Sequence, residues 1–246
     1  MDDVFYDMAE IKNEVGMLSA YSATNPSTRL SVSMPVKMGG GNIPVFGSEN
    51  PAEDYLLMRE ASLTLVATTS GPDYNSDPVL LDLGSVSYTS SNNYFVDQRL
   101  VYENGALIVS QDEYSLMRLA PSMDLRRTGN NTNISIIVDA VDINGPARSI
   151  SSSSIEEVYF RTNGTDSLYW DGVVFTDVTM TMETSYPSSW VTFFETLAND
   201  AGLEESAYSV SSNDTAVVFF IEGDTGEDIQ LNVTKSIFDA RLNILG

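Results

Sequence analysis

Asp177-Val-Thr-Met-Thr-Met182 decides the fold class: Val178, Met180 and Met182 fall on one side of an extended chain, and Asp177, Thr179 and Thr181 on the other. Successive side chains of a strand point to opposite faces, so this period of two describes a half-buried strand. Working outward, the same alternation recurs. Leu30, Val32, Met34 and Val36 alternate mainly with serine. Leu63 and Val66 belong to another strand, residues 79–88 to the next, and residues 100–110 read as a hairpin closed by Asn104-Gly105, a dipeptide suited to two-residue turns. Ile134, Ile136 and Val138 precede a stop at Asn144-Gly145. Residues 155–160 lead to a turn at Asn163-Gly164, and residues 168–175 carry another at Asp171-Gly172. Near the end, residues 217–221, then Ile229, Leu231 and Val233, then Phe238, Ala240, Leu242 and Ile244 read as separate strands. The expected fold is mainly β, a β-sandwich-like arrangement or large antiparallel sheets, with an N-terminal helix and one helix near the C-terminus.

The first helix is set by Val4, Met8, Ile11, Val15 and Leu18, which recur at steps of four and three among polar residues. They form a narrow apolar seam. Two readings stay open: a helix laid on the core of the domain, or an interaction seam facing an anchor or neighbour. In the second helix Pro187 suits the first turn and Ser185 is a candidate cap. Trp190, Phe193, Phe194 and Leu197 make one apolar face, and Gly202 suits a left-handed end. Residues 149–154 are serine-rich and read as an exposed loop or linker. The domain reading is a helix over 1–20 and a single β-rich domain over 21–246.

Composition narrows the chemistry. Of 246 residues 42% are hydrophobic and 19% charged, a globular balance. Asp and Glu number 35 against 12 Lys and Arg, for a net charge of −23. Such a surface repels nucleic acid and anionic lipid, so no nucleic-acid partner is expected. High-salt adaptation, an extracytoplasmic wall location and plain solubility all fit this acidity. With no Cys and no His, there is no disulfide, no thiolate or imidazole metal site and no Ser-His-Asp triad. A non-catalytic role is expected, and no cofactor. No run of eighteen apolar residues exists, and Met1-Asp2-Asp3 reads as a trimmed start with any anchor removed.

Several motifs are weak. Sequons stand at Asn130, Asn133, Asn163, Asn213 and Asn232, slightly above the about three or four that chance would place in such a composition. They are candidate glycosylation sites. Asp73, Asn75 and Asp77 have the alternate spacing of a calcium loop, but Pro78 stands where the loop needs Gly and Gly84 where it needs Glu. Calcium is the one metal this set would take. Asp139, Asp142 and Asn144 before Gly145 form a second incomplete set. Asp224-Thr225-Gly226 matches the aspartic-protease tripeptide, yet Glu222-Gly223 separate it from the strand and no second copy exists. An acidic hairpin turn explains it. Glu156 and Glu157 are strand neighbours and point apart, so they cannot converge on one bond.

Three features together resemble a known family: the seam helix, the strand in Arg29-Leu-Ser-Val-Ser-Met-Pro-Val36, and Gly39-Gly-Gly-Asn-Ile-Pro-Val-Phe46. With Tyr186-Pro-Ser-Ser-Trp-Val-Thr-Phe-Phe194, they look like an uncharacterised archaeal family of pilin-like, membrane-anchored surface proteins. The resemblance implies an extracellular β head on the cell envelope and an upstream apolar helix that tethers it to the membrane. Its implied partners are other envelope or pilin-like subunits, and it implies no catalytic residue. The alternative is a surface module for carbohydrate or a solute, assisted by calcium, and a carboxylate hydrolase ranks third.

Overall fold

The computed structural model describes residues 2–38, 54–68, 78–90, 97–128, 133–146, 149–152, 155–169, 173–223 and 227–243. Helix α1 covers Asp2–Thr24. Nine strands follow: β1 Ser31–Lys37, β2 Asp54–Thr68, β3 Val79–Ser90, β4 Gln98–Glu103, β5 Ala106–Gln111, β6 Tyr114–Leu119, β7 Met123–Thr128, β8 Asn133–Asn144 and β9 Ser149–Ser152. After them come β10 Ile155–Tyr169, β11 Asp177–Glu183, helix α2 Pro187–Asp200, β12 Tyr208–Ser212, β13 Ala216–Glu222 and β14 Asp228–Asn243. The protein is mainly β with two helices, as the alternating pattern predicts.

Among the described residues the strands make two sheets. The smaller runs β1-β10-β14-β8-β7. The larger runs β12-β13-β11-β2-β3-β4-β5-β6, with β9 also on β2. Pairing is antiparallel except between β14 and β8, which run parallel. The larger sheet is curled. Its two edges, β12 and β6, both reach α2, which spans the gap between them. Phe194 stacks on Phe219 of β13 at 4.9 Å between ring centroids, and the Ser189 hydroxyl bonds Ser115 of β6 at 2.8 Å.

Two apolar cores result, and the long strands serve both. Leu81 and Leu83 of β3 face the first core with α2, whereas Val86 and Tyr88 of the same strand face the second with α1. β8 changes sides in the same way between Ala140 and Val141, and β14 between Val233 and Phe238. The change of side on β3 falls at Gly84, where the two sheets touch. A Cβ there would lie 2.1 Å from the carbonyl oxygen of Ile143 on β8. Only glycine lets the two backbones approach this closely.

Local chemistry explains several elements. Asn104 and Gly105 take φ of 46° and 76°, the left-handed pair of a tight hairpin whose twist matches its strands. Gly202, at φ 68°, ends α2. The Leu203 N–H reaches the Ala198 carbonyl and the Gly202 N–H the Asn199 carbonyl, closing the helix end with both bonds of a Schellman motif.

Four expectations change. Asn163-Gly164 is no turn: β10 runs through it with a bulge, because β14 supplies a long partner on both sides. The last two strands expected from the sequence are one strand, β14, held on both edges by β10 and β8. Residues 149–152, read as loop, pair with β2. Ser185 does not cap α2; Tyr186 holds that position without a side-chain bond, and Pro187 begins the helix as expected.

Candidate functional site

The seam is spoken for. Val4, Met8, Ile11, Val15 and Leu18 are all buried in the second core, against strands β1, β10, β4 and β5. The interaction-seam reading is therefore corrected: the face is covered by this chain itself, and the helix continues past residue 20 to Thr24. The outer face of α1 is different, with Tyr6 68% and Met17 58% exposed.

Tyr6 belongs to a groove between the start of α1 and β6, the edge of the larger sheet. Phe5, Leu100 and Val109 are among its walls, and Tyr114 and Leu116 stand at its rim, 82% and 54% exposed. The groove measures about 620 Å³. Among the described residues Arg118 is the one charged residue lining it, set 5.9 Å from the Phe5 ring centroid. In a chain with 35 acidic residues, a groove with no carboxylate among its described walls is an exception. Period-two placement on an exposed edge explains the rim, since alternate residues of β6 face the groove.

A second groove, about 920 Å³, opens where β3, β11 and the end of β8 meet the start of α2. It is walled by hydroxyls and acids. Asp82, Ser62 and Glu183 sit directly opposite one another on β3, β2 and β11, which places the two acids two strand spacings apart, roughly 10 Å. The Ser62 hydroxyl donates to Glu183 at 2.8 Å.

Beside them lies Glu103, only 4% exposed. The Trp190 indole N–H donates to its Oε1 at 2.9 Å and the Thr184 hydroxyl to the same oxygen at 2.7 Å. The Tyr186 N–H in turn donates to Thr184 Oγ1 at 3.0 Å. This chain ties the start of α2 to β4. Burial raises the Glu103 carboxyl above its ordinary value of 4.5, against the two hydrogen bonds that lower it. The folded state thus holds this proton more tightly than the unfolded chain. Its contribution to stability is fully present below pH 4.5 and declines as pH rises through the folded value.

A substitution tests that sign. Glu103→Gln keeps an acceptor for Trp190 and Thr184 but removes the charge. It should match the parent in thermal melts below pH 4.5 and gain over it as pH rises above that value. A Gln protein less stable than the parent at neutral pH would show that the ionised form is the stabilising one. Glu103→Ala strands both donors and should cost about 1–3 kcal/mol near pH 4, and less as pH rises.

The residues singled out in the sequence do not converge. Asp73, Asn75, Asp77 and Asn130 lie outside the described residues, as do Asp224-Thr225-Gly226. The strands flanking that tripeptide, β13 and β14, belong to different sheets, so they are not paired as the two arms of a hairpin. Asp139 and Asp142 are three apart on β8 and point to opposite faces. Asp139 accepts the Ser122 hydroxyl at 2.7 Å, and Asp142 pairs with Lys235 at 3.4 Å, so the second calcium set does not assemble. Burial raises the Asp142 carboxyl despite the Lys235 charge. Among the described residues no three acidic side chains gather as a metal site.

Of the sequons, Asn213 is exposed in the β12–β13 turn and Asn163 is exposed on the β10 bulge. The Asn163 amide donates to Asp239 at 3.0 Å. Asn133 and Asn232 are half-buried on β8 and β14. Sequence reading missed Glu103, although a carboxylate flanked by Leu100, Val101, Tyr102 and Ala106 in an apolar hairpin is itself a signal. It also missed the Tyr6–Leu116 groove, which joins segments over a hundred residues apart.

Comparison of the chain with protein-family models, with curated proteins and with solved structures found no match in any of the three.

Proposed function

We propose that this chain is the non-catalytic head of a pilin-like cell-surface protein, working by packing against like subunits of the envelope. The observation that supports this reading is the groove between α1 and β6, with Tyr6, Tyr114 and Leu116 exposed at its edge. Contiguous exposed apolar groups beside an unpaired strand edge suit a protein partner. Two copies of net charge −23 repel each other, and a groove whose described lining carries Arg118 and no carboxylate is where that repulsion is least. No helix among the described residues is long and apolar enough to cross a membrane, so tethering in this reading belongs to an upstream segment.

Sedimentation of the full chain at rising concentration tests the packing. The parent should self-associate, and Tyr114→Ser with Leu116→Ser should remain monomeric, since both side chains are exposed and their loss leaves the core intact. Identical sedimentation of the two proteins would remove the groove from any such interface.

A second reading, a surface module for carbohydrate or a solute, draws on the hydroxyl-rich groove around Ser62, Asp82 and Glu183. Hydroxyls and carboxylates there offer acceptors to a polyol. Saturable binding of a neutral oligosaccharide, lost in Asp82→Ala, would favour it.

A further inference from the structure

A cavity of about 270 Å³ lies between the second half of α1 and strands β8 and β14, closed at one side by the Asn104-Gly105 turn. It has room for on the order of nine waters, and so for a ligand of about nine non-hydrogen atoms. Gly16, Ala20 and Ala23 open it from the helix, and Tyr102 and Ala140 help wall it from the strands.

Three observations set it apart. First, Lys12 lines it and makes no hydrogen bond or ion pair with any described residue. The chain's other lysines are both claimed, Lys37 by Asp3 at 3.7 Å and Lys235 by Asp142 at 3.4 Å. Burial without a partner lowers the Lys12 ammonium from its ordinary value. Second, the Ser19 hydroxyl on the same wall is buried with no partner. The Nδ2 of Asn104, the neighbour of lining residue Gly105, is also buried with no partner, while its Oδ1 accepts the Val141 N–H at 3.1 Å. Third, Gly16 stands in mid-helix, where glycine costs about 0.5–1 kcal/mol relative to alanine. Yet a Cβ there would meet nothing within 4 Å. Packing does not require the glycine, and a long side chain at this lining position would extend over the cavity.

Asp139 lines the same cavity, and it forms no ion pair with Lys12. One cation and one anion thus share the wall with no ion pair between them, the Asp139 carboxylate accepting only the Ser122 hydroxyl. A plain anion would be repelled by a chain of net charge −23, and a plain cation would leave Lys12 unsatisfied. A ligand bearing both charges answers each of them and is neutral overall. We propose that this cavity binds a small zwitterion of the size of an α-amino acid with a short apolar side chain, its carboxylate at Lys12 and its ammonium toward Asp139. The site is independent of the subunit-packing surface at β6.

The test uses the full chain and three probes of one shape: L-valine, 3-methylbutanoate, which lacks the ammonium, and isobutylamine, which lacks the carboxylate. Backbone-amide NMR titration should give saturable shifts around Gly16 and Ala140 with valine. Each single-charge analogue should bind at least about tenfold more weakly, the value of one charged hydrogen bond. Lys12→Met should lose valine binding, whereas Lys37→Met should keep it. Gly16→Leu should plug the cavity and lose binding while melting no lower than the parent, which separates loss of the site from loss of the fold. Equal shifts from all three probes, binding unchanged in Lys12→Met, or no saturable shift with valine would each overturn the proposal.

Discussion

Gly84→Ala is expected to leave little folded protein. The added methyl would stand 2.1 Å from the Ile143 carbonyl oxygen, 2.7 Å from the Ile143 Cβ and 2.9 Å from its carbonyl carbon. Two of these atoms are backbone of a strand paired at that point with β14, so the neighbour cannot turn aside as a side chain would. Relief requires moving the larger sheet off the smaller one where β3 and β8 pass from one core to the other. The cost should exceed the about 1–3 kcal/mol typical of an overpacked core and approach the whole stability of a domain, about 5–15 kcal/mol. Gly16→Ala is the matched control, since that methyl enters open space. It should stabilise by about 0.5–1 kcal/mol. Urea midpoints of the two variants and the parent decide the matter. A Gly84→Ala protein with the parent's midpoint would mean that the sheets do not meet there.

The second large effect concerns α1. Met8 and Ile11 are fully buried, so Met8→Ser and Ile11→Ser should each cost about 2–5 kcal/mol, with the stranded hydroxyl adding to the cavity. For a chain of this length that is roughly 5–15 °C in Tm for each variant. A fall of that size places the helix within the core of the head. A melting temperature within about 2 °C of the parent would show that the seam faces outward. Tyr6→Ser, on the exposed side of the same helix, should leave the melt unchanged.

The seam shows where sequence reading succeeds and where it stops. Its spacing identifies a helix and an apolar face, because both follow from the 3.6-residue turn alone. What covers that face is set by strands that lie between residues 31 and 243, so a core and an interface look alike in the pattern. Strand β11 and the Asn104-Gly105 hairpin were legible because period and turn chemistry are local. The Asn163-Gly164 bulge was not. Turn residues are read in the same way whether the chain reverses or continues, and β14 makes it continue. The grooves were least legible, for Glu103, Thr184 and Trp190 meet only once β4 and α2 are folded together.

The β-rich head has its own helix sunk into its core, and we propose that its exposed groove meets a like subunit and that a segment ahead of it tethers it to the membrane. The most direct measurement is the N-terminus and intact mass of the native protein, taken from the envelope and cytosolic fractions of its source cell. The account predicts a protein in the envelope fraction that carries an apolar segment ahead of Asp2, trimmed at a pilin-type site. Any glycan mass would sit on residues such as Asn213. A protein confined to the cytosol, beginning at Met1 and showing no added mass, would contradict it.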